Sequence, residues 1–170
     1  MLEFLLISLI FLSIYIPYTN YLKLRNTKQV RGINSVILRQ SNINEIDQMN
    51  GQQFEEFLSY LYGFYGYQTE VTKGSGDFGA DLVLKNNNEI IVVQAKRYKN
   101  KVGLQSVQEV VAAKAYYNAS QAWVVTNSYF TKPAYELADA NDVLLVNRDL
   151  LINLSAQVNQ QPTRLEQNSY

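Results

Sequence analysis

The hydrophobic positions change period along the chain, and the changes mark out its elements. Phe4 to Ile16 is apolar except for Ser8 and Ser13 and shows no polar face. From Phe54 the apolar residues fall at helical spacing (Phe54, Phe57, Leu58, Leu61, Tyr65), with Asn50 placed to cap the start and Gly63 and Gly66 to end it. Tyr67 to Lys73 alternates apolar and polar, the period of a half-buried strand. Leu82 to Leu84 is a short strand, Lys85 to Asn88 is turn chemistry, and Ile90 to Lys96 reads as a strand covered on both faces. Leu104 to Tyr117 predicts a helix with Leu104, Val107, Val111 and Ala115 on one side. A buried strand follows over Ala122–Thr126, then a helix over Pro133–Ala140 with its proline in the first turn, a strand over Val143–Val146 and a short closing helix over Arg148–Leu154. The order α-β-β-β-α-β-α-β, with that closing helix, predicts an α/β fold: a mixed sheet flanked by helices on both faces.

Four regions follow along the 170 residues. Residues 1–24 predict a transmembrane anchor, 25–48 a basic and polar linker, 49–154 the folded domain and 155–170 a polar, disordered tail. The strictly apolar run is short for a bilayer, but from Leu2 to Leu24 the segment reaches the ~20 residues that a span needs. A cleaved leader would want a basic start and a small-residue cleavage site, and this segment has Glu3 and neither feature. A buried core helix is the other alternative, and the missing polar face weighs against it. Lys23, Arg25, Lys28 and Arg31 flank the C-terminal end of the segment. The positive-inside rule then places the N-terminus outside and the folded domain on the cytoplasmic side of a single-pass membrane protein, with the bilayer as a partner of residues 1–24.

Composition narrows the chemistry. The chain has no cysteine and no histidine, which excludes disulfides, thiolate metal sites and every imidazole role. Catalysis must therefore use carboxylates, lysine, tyrosine, serine or amides. The formal net charge is zero, but residues 41–170 carry ten basic and fourteen acidic residues, a net of −4. A nucleic-acid enzyme of this composition needs a local basic patch.

One stretch collects such chemistry, from Gly74 to Lys96. Glycines at 74, 76 and 79 surround Asp77, and Asp81 opens the short strand. On the strand 90–96, Gln94 and Lys96 share a face, and Asp81 can reach the same point across the hairpin. An acid, an amide oxygen and a lysine suit phosphodiester hydrolysis, because hard oxygen donors hold Mg²⁺ and a lysine orients water and stabilises developing charge. Taken alone, an acid after glycines is an ordinary turn residue and a strand-end lysine ordinarily reaches solvent.

Five pieces in order extend the pattern: Gly51-Gln52-Gln53-Phe54-Glu55; Gly66-Tyr67; Gly76-Asp77-Phe78-Gly79-Ala80-Asp81; Val93-Gln94-Ala95-Lys96-Arg97-Tyr98; and Val124-Val125-Thr126-Asn127-Ser128-Tyr129-Phe130-Thr131. Over about residues 49–154 the chain resembles the Mrr-type restriction endonuclease family of the PD-(D/E)xK nuclease superfamily. The resemblance implies a restriction-endonuclease-like mixed β-sheet and a metal-dependent endodeoxyribonuclease, in restriction of foreign or modified DNA. It implies Asp81, Gln94 and Lys96 as catalytic residues, with Gln94 where the wider superfamily has Glu or Asp. Asp81, Glu55 and Gln94 would hold Mg²⁺ or Mn²⁺, and Asp77 is a secondary acid. Arg97, Lys99 and Lys101, with Lys73 and Ser75, are the expected DNA contacts, and a homodimer would serve double-strand cutting. The alternative is a catalytically weak or inactive nuclease-fold module that binds DNA at the membrane.

Overall fold

The computed structural model describes residues 42–72, 78–86 and 89–160. The elements are α1 (Ile43–Ile46), α2 (Gly51–Phe64), β1 (Gln68–Val71), β2 (Leu82–Asn86), β3 (Glu89–Lys96), α3 (Gln105–Tyr116), β4 (Gln121–Thr126), α4 (Lys132–Ala140), β5 (Val143–Val146) and α5 (Arg148–Gln160). Among the described residues the strands form one five-stranded sheet in the order β1-β2-β3-β4-β5. β1, β2 and β3 are an antiparallel meander, and β3, β4 and β5 run parallel, joined by α3 and α4. Strand β3 is the seam between the two halves.

Local chemistry starts and stops these elements as expected. Asn50 caps α2 in a reciprocal pair with Gln53, and Gly66, at φ +95°, turns the chain out of α2 toward β1. Thr131 caps α4, with Pro133 in its first turn. The alternation along β3 divides its side chains between two apolar layers. Ile91 and Val93 meet Phe54, Phe57, Leu58 and Leu61 of α2 and Leu151 and Val158 of α5. Val92 meets Val107, Val110 and Ala113 of α3 and Ala134 and Ala138 of α4. Each fully buried Leu or Phe contributes about 1.5–3 kcal/mol relative to an exposed one.

Two boundaries and one helix face differ from the sequence expectation. The linker expected to run to residue 48 ends earlier, because Asn42 caps α1 and Ile46 is buried in the core. The closing helix continues to Gln160 and does not yield to a disordered tail at 155, because Leu151, Ser155 and Val158 form a buried stripe. On α3 the buried face is Val107, Val110 and Ala113, while Leu104 is 38% exposed and Ala115 faces solvent, so the apolar side is rotated from that expected. Among the described residues no helix is long and apolar enough to cross a membrane. The anchor expected over residues 1–24, the rest of the linker and the tail from 161 lie outside the described residues.

Candidate active site

Asp81 owes its position to the backbone around it. The Thr72 amide donates to the Asp81 carbonyl (2.9 Å), the Thr72 hydroxyl to the Ala80 carbonyl (2.6 Å), and the Asp81 amide to the Val93 carbonyl (2.8 Å). The residue is thus held between β1 and β3, just before β2 begins. Its carboxylate meets the end of β3: the Gln94 side-chain Nε2 and the Ala95 amide (2.7 Å) both donate to Oδ2. These charge-assisted bonds explain why a buried amide interrupts an apolar strand, since a buried Gln must be paired.

Lys96 lies two residues on and points to the same face. Its Nζ stands 2.9 Å from Oε2 of Glu109 on α3, with about a fifth of the lysine side chain and a third of the glutamate exposed. The other Glu109 oxygen accepts from Gln105 Nε2 (3.0 Å). Glu109 was not among the residues expected at the site. The spacing of Gln105 and Glu109 on one helix was visible, but which strand residue the helix would meet was not.

The same residue receives the loop that carries Asp81. Gly79 has φ +92°, and a Cβ there would overlap the carbonyl oxygen of Glu109 and stand 2.8 Å from its carbonyl carbon. Only glycine suits both the conformation and the approach. Helix α3 therefore touches the acid's loop with its backbone and the lysine with its side chain.

The remaining expected residues are spread out. Glu55 is half-buried on α2, which covers the face of the sheet opposite to α3. Lys73, Ser75 and Asp77 lie outside the described residues. Lys99 and Lys101 are exposed after β3, but Arg97 turns inward and donates to the Asp47 carbonyl (3.2 Å). Thr126 joins strand ends, its hydroxyl donating to the Lys96 carbonyl (2.6 Å). Trp123 packs among Tyr62 and Tyr67 in the core.

A second polar cluster closes the sheet end nearby. Arg148 donates from both terminal nitrogens to the Asp47 carboxylate (2.8 Å each), and Asn127 Nδ2 donates to the same group (2.8 Å). The Arg148 hydrogen bonds hold the Asp47 carboxyl below the usual aspartate range. Asn127 Oδ1 accepts from the Tyr98 amide (2.9 Å), and a recess of about 390 Å³ opens beside the cluster between Tyr98 and Tyr129.

A divalent ion fits the donor set in kind. Mg²⁺ takes oxygen ligands, commonly one or two carboxylates completed by water and substrate phosphate. Asp81 supplies a carboxylate, which the Gln94 amide meets through Nε2, and the oxygen of that amide would be the second donor. Among the described residues no group of three or more acidic side chains gathers to hold a metal.

The restriction endonuclease family with the Mrr catalytic domain matches residues 46–155, which span β1–β5 and every described residue of the cluster around Asp81. This chain belongs to the Mrr-type restriction endonuclease family. The chain is also similar to the type IV methyl-directed restriction enzyme EcoKMrr of Escherichia coli (strain K12), at 33% identity over 98 residues. That alignment takes in 54% of this chain and 32% of the relative, so the chain spans about a third of the length of that Mrr protein. Two solved structures share the fold. The protein of unknown function AF1548 superposes with a TM-score of 0.53 at 15% identity, over 69% of this chain and 76% of its own. The DNA modification-dependent restriction endonuclease AspBHI superposes with a TM-score of 0.51 at 18% identity, over 76% and 38%. The Mrr domain is thus a mixed α/β nuclease fold, with the Asp81–Gln94–Lys96 cluster where its antiparallel and parallel halves meet.

Proposed function

We propose that the chain is a metal-dependent DNA endonuclease that hydrolyses phosphodiester bonds, tethered to the membrane by residues 1–24. The observation that carries the reading is the convergence of Asp81, Gln94 and Lys96 at the end of β3, with Asp81 Oδ2 taking both the Gln94 amide and the Ala95 backbone N–H. Asp81 and the Gln94 amide oxygen would hold a Mg²⁺ or Mn²⁺ ion, with Glu55 set apart from them on the opposite face of the sheet. That ion, when bound, polarises the phosphate and acidifies a water. Lys96 supplies the ammonium that orients the attacking water and stabilises charge building on the phosphate oxygens. Glu109 fixes where that ammonium stands. Lys99 and Lys101, exposed just beyond β3, would meet backbone phosphates, which position DNA without reading its sequence.

Methylated or foreign DNA is the proposed target class, after the methyl-directed relative. Two copies acting together would cut both strands. The basic residues after Leu24 would leave the N-terminus outside and the nuclease domain in the cytoplasm. Protection of the C-terminus from protease in intact cells is the expected result, and digestion there would reverse the orientation.

The purified full chain should nick or cut duplex DNA with Mg²⁺, stop with EDTA, and lose cleavage on Asp81→Ala or Lys96→Ala. Cleavage that survives both substitutions overturns the site. A second reading is a non-catalytic DNA-binding module, favoured by the neutral Gln94 and by the net charge of −4 over residues 41–170. Binding that is indifferent to Mg²⁺, with no cleavage of methylated, unmethylated or single-stranded DNA, selects it.

A further inference from the structure

We propose that Phe78 and Tyr116 form a stacking platform for one unpaired nucleobase of the strand held at the catalytic cluster. The ligand rests on the nuclease reading above; the platform rests on its own geometry. The two rings stack with centroids 3.7 Å apart and planes 21° from parallel, although Phe78 is 52% and Tyr116 59% exposed. Tyr117 braces Tyr116 edge-on at 5.0 Å and 83°. One exposed aromatic ring is unremarkable, but two that stack on each other in solvent, on separate elements, make a flat and firm apolar surface.

The backbone gives a second and independent sign. Phe78 sits at φ +52°, a left-handed conformation that bulky side chains rarely adopt. The other non-glycine residues with positive φ among the described ones are Asn118 and Asp142, short polar types that tolerate it. An asparagine at 78 would suit the loop better than phenylalanine. Strain of this kind persists where its surroundings over-determine it and gathers at functional sites. Here the surroundings are the contact of Gly79 with Glu109 and the hydroxyl of Thr72 on the Ala80 carbonyl.

Position selects the ligand. Phe78 is three residues before Asp81, on the same loop. Tyr116 is seven residues past Glu109 on α3, about two turns or roughly 10 Å along the helix. Glu109 grips Lys96, so the platform stands within a few nucleotides of any phosphate at that lysine. Every base has a π-face, and stacking on aromatic side chains is tolerant of sequence. Bases within a duplex are already stacked, so the platform takes a base that is extruded, mismatched or single-stranded.

The test uses the purified full chain with Ca²⁺ in place of Mg²⁺, so that binding is read without cleavage. Labelled duplexes carrying a short single-stranded gap are compared with the same duplexes made abasic at one gap position at a time. The wild-type chain should bind the intact gap about tenfold more tightly than one of the abasic forms. Phe78→Asn and Tyr116→Ala should lose that difference, and Tyr116→Trp should keep or enlarge it. Phe78→Asn should also melt no lower than wild type, because it relieves the backbone. Equal binding of intact and abasic DNA at every position overturns the platform while leaving the nuclease reading standing. Discrimination retained by both variants also overturns it, as does loss of self-association on Tyr116→Ala, which would give the rings to a second copy. Base-dependent binding by a chain that never cleaves supports the platform against the nuclease reading, and absence of binding to any DNA removes both.

Discussion

Gly79 and Glu109 meet backbone to backbone, so the loop that delivers Asp81 is seated on the residue whose side chain holds Lys96. The two ends of the catalytic cluster share one support, and that support is a turn of α3.

Gly79→Ala attacks the contact directly. The new Cβ must accept a left-handed φ and displace a helix carbonyl. A cost of about 2–4 kcal/mol is expected. Thermal melting should fall by several degrees and cleavage should fall further than the remaining folded fraction accounts for.

Glu109→Gln separates support from fold. The amide keeps the volume and the Gln105 contact but gives up the charge that Lys96 faces at 2.9 Å. The turnover number should fall about tenfold to a hundredfold, the loss typical of a misplaced catalytic group, with KM for DNA little changed. Glu109→Asp should recover part of it. An unchanged turnover number in Glu109→Gln would free Lys96 from this partner.

Gln94→Glu tests the donor set. Asp81 Oδ2 now accepts from the Gln94 amide, and a glutamate there would set two carboxylates against each other. In EDTA this variant should melt below wild type. Added Mg²⁺ should raise its melting temperature more than it raises that of wild type, because ligands that bind the folded state stabilise it by mass action. An equal metal response in both proteins would remove residue 94 from the donor set.

The Asp47–Arg148 pair makes a pH prediction. Its hydrogen bonds lower the Asp47 pKa in the folded state, so its stabilisation is complete above the ordinary aspartate value of about 4 and is lost as pH falls through the lowered one. Melting temperatures followed from neutral pH to below pH 4 should fall less steeply in Asp47→Asn than in wild type. At neutral pH, Asp47→Ala should cost roughly 2–3 kcal/mol, since Arg148 and Asn127 both lose their acceptor.

Much of this was legible in the sequence because periodicity reports which face of an element is covered. The helical stripe from Phe54, the β-branched run through Val93 and the proline at 133 each gave their element its type and place. The pairing of Asp81 with Gln94 followed from the same alternation plus one short hairpin. Glu109 did not, because a carboxylate beside an apolar stripe looks like any solvated helix position until the crossover from β3 folds α3 back over the strand. Arg97 looked like part of a basic patch with Lys99 and Lys101. It turns inward because α1, hidden in what read as a linker, presents the Asp47 carbonyl to it. The α5 boundary was missed for a similar reason, since Val158 stands alone among polar residues and its burial depends on α2.

Asp47 and Arg148 are 101 positions apart, and that separation sets an order of events during synthesis. A ribosome releases α1 long before the guanidinium that fastens it exists. Until Arg148 emerges, the Asp47 carboxylate has Asn127 but not the guanidinium, and the clamp at the sheet end beside Lys96 is incomplete. The strands that carry the catalytic cluster are thus made early and locked late, so a truncated or stalled product would carry the cluster's residues without the fastening that holds their surroundings together.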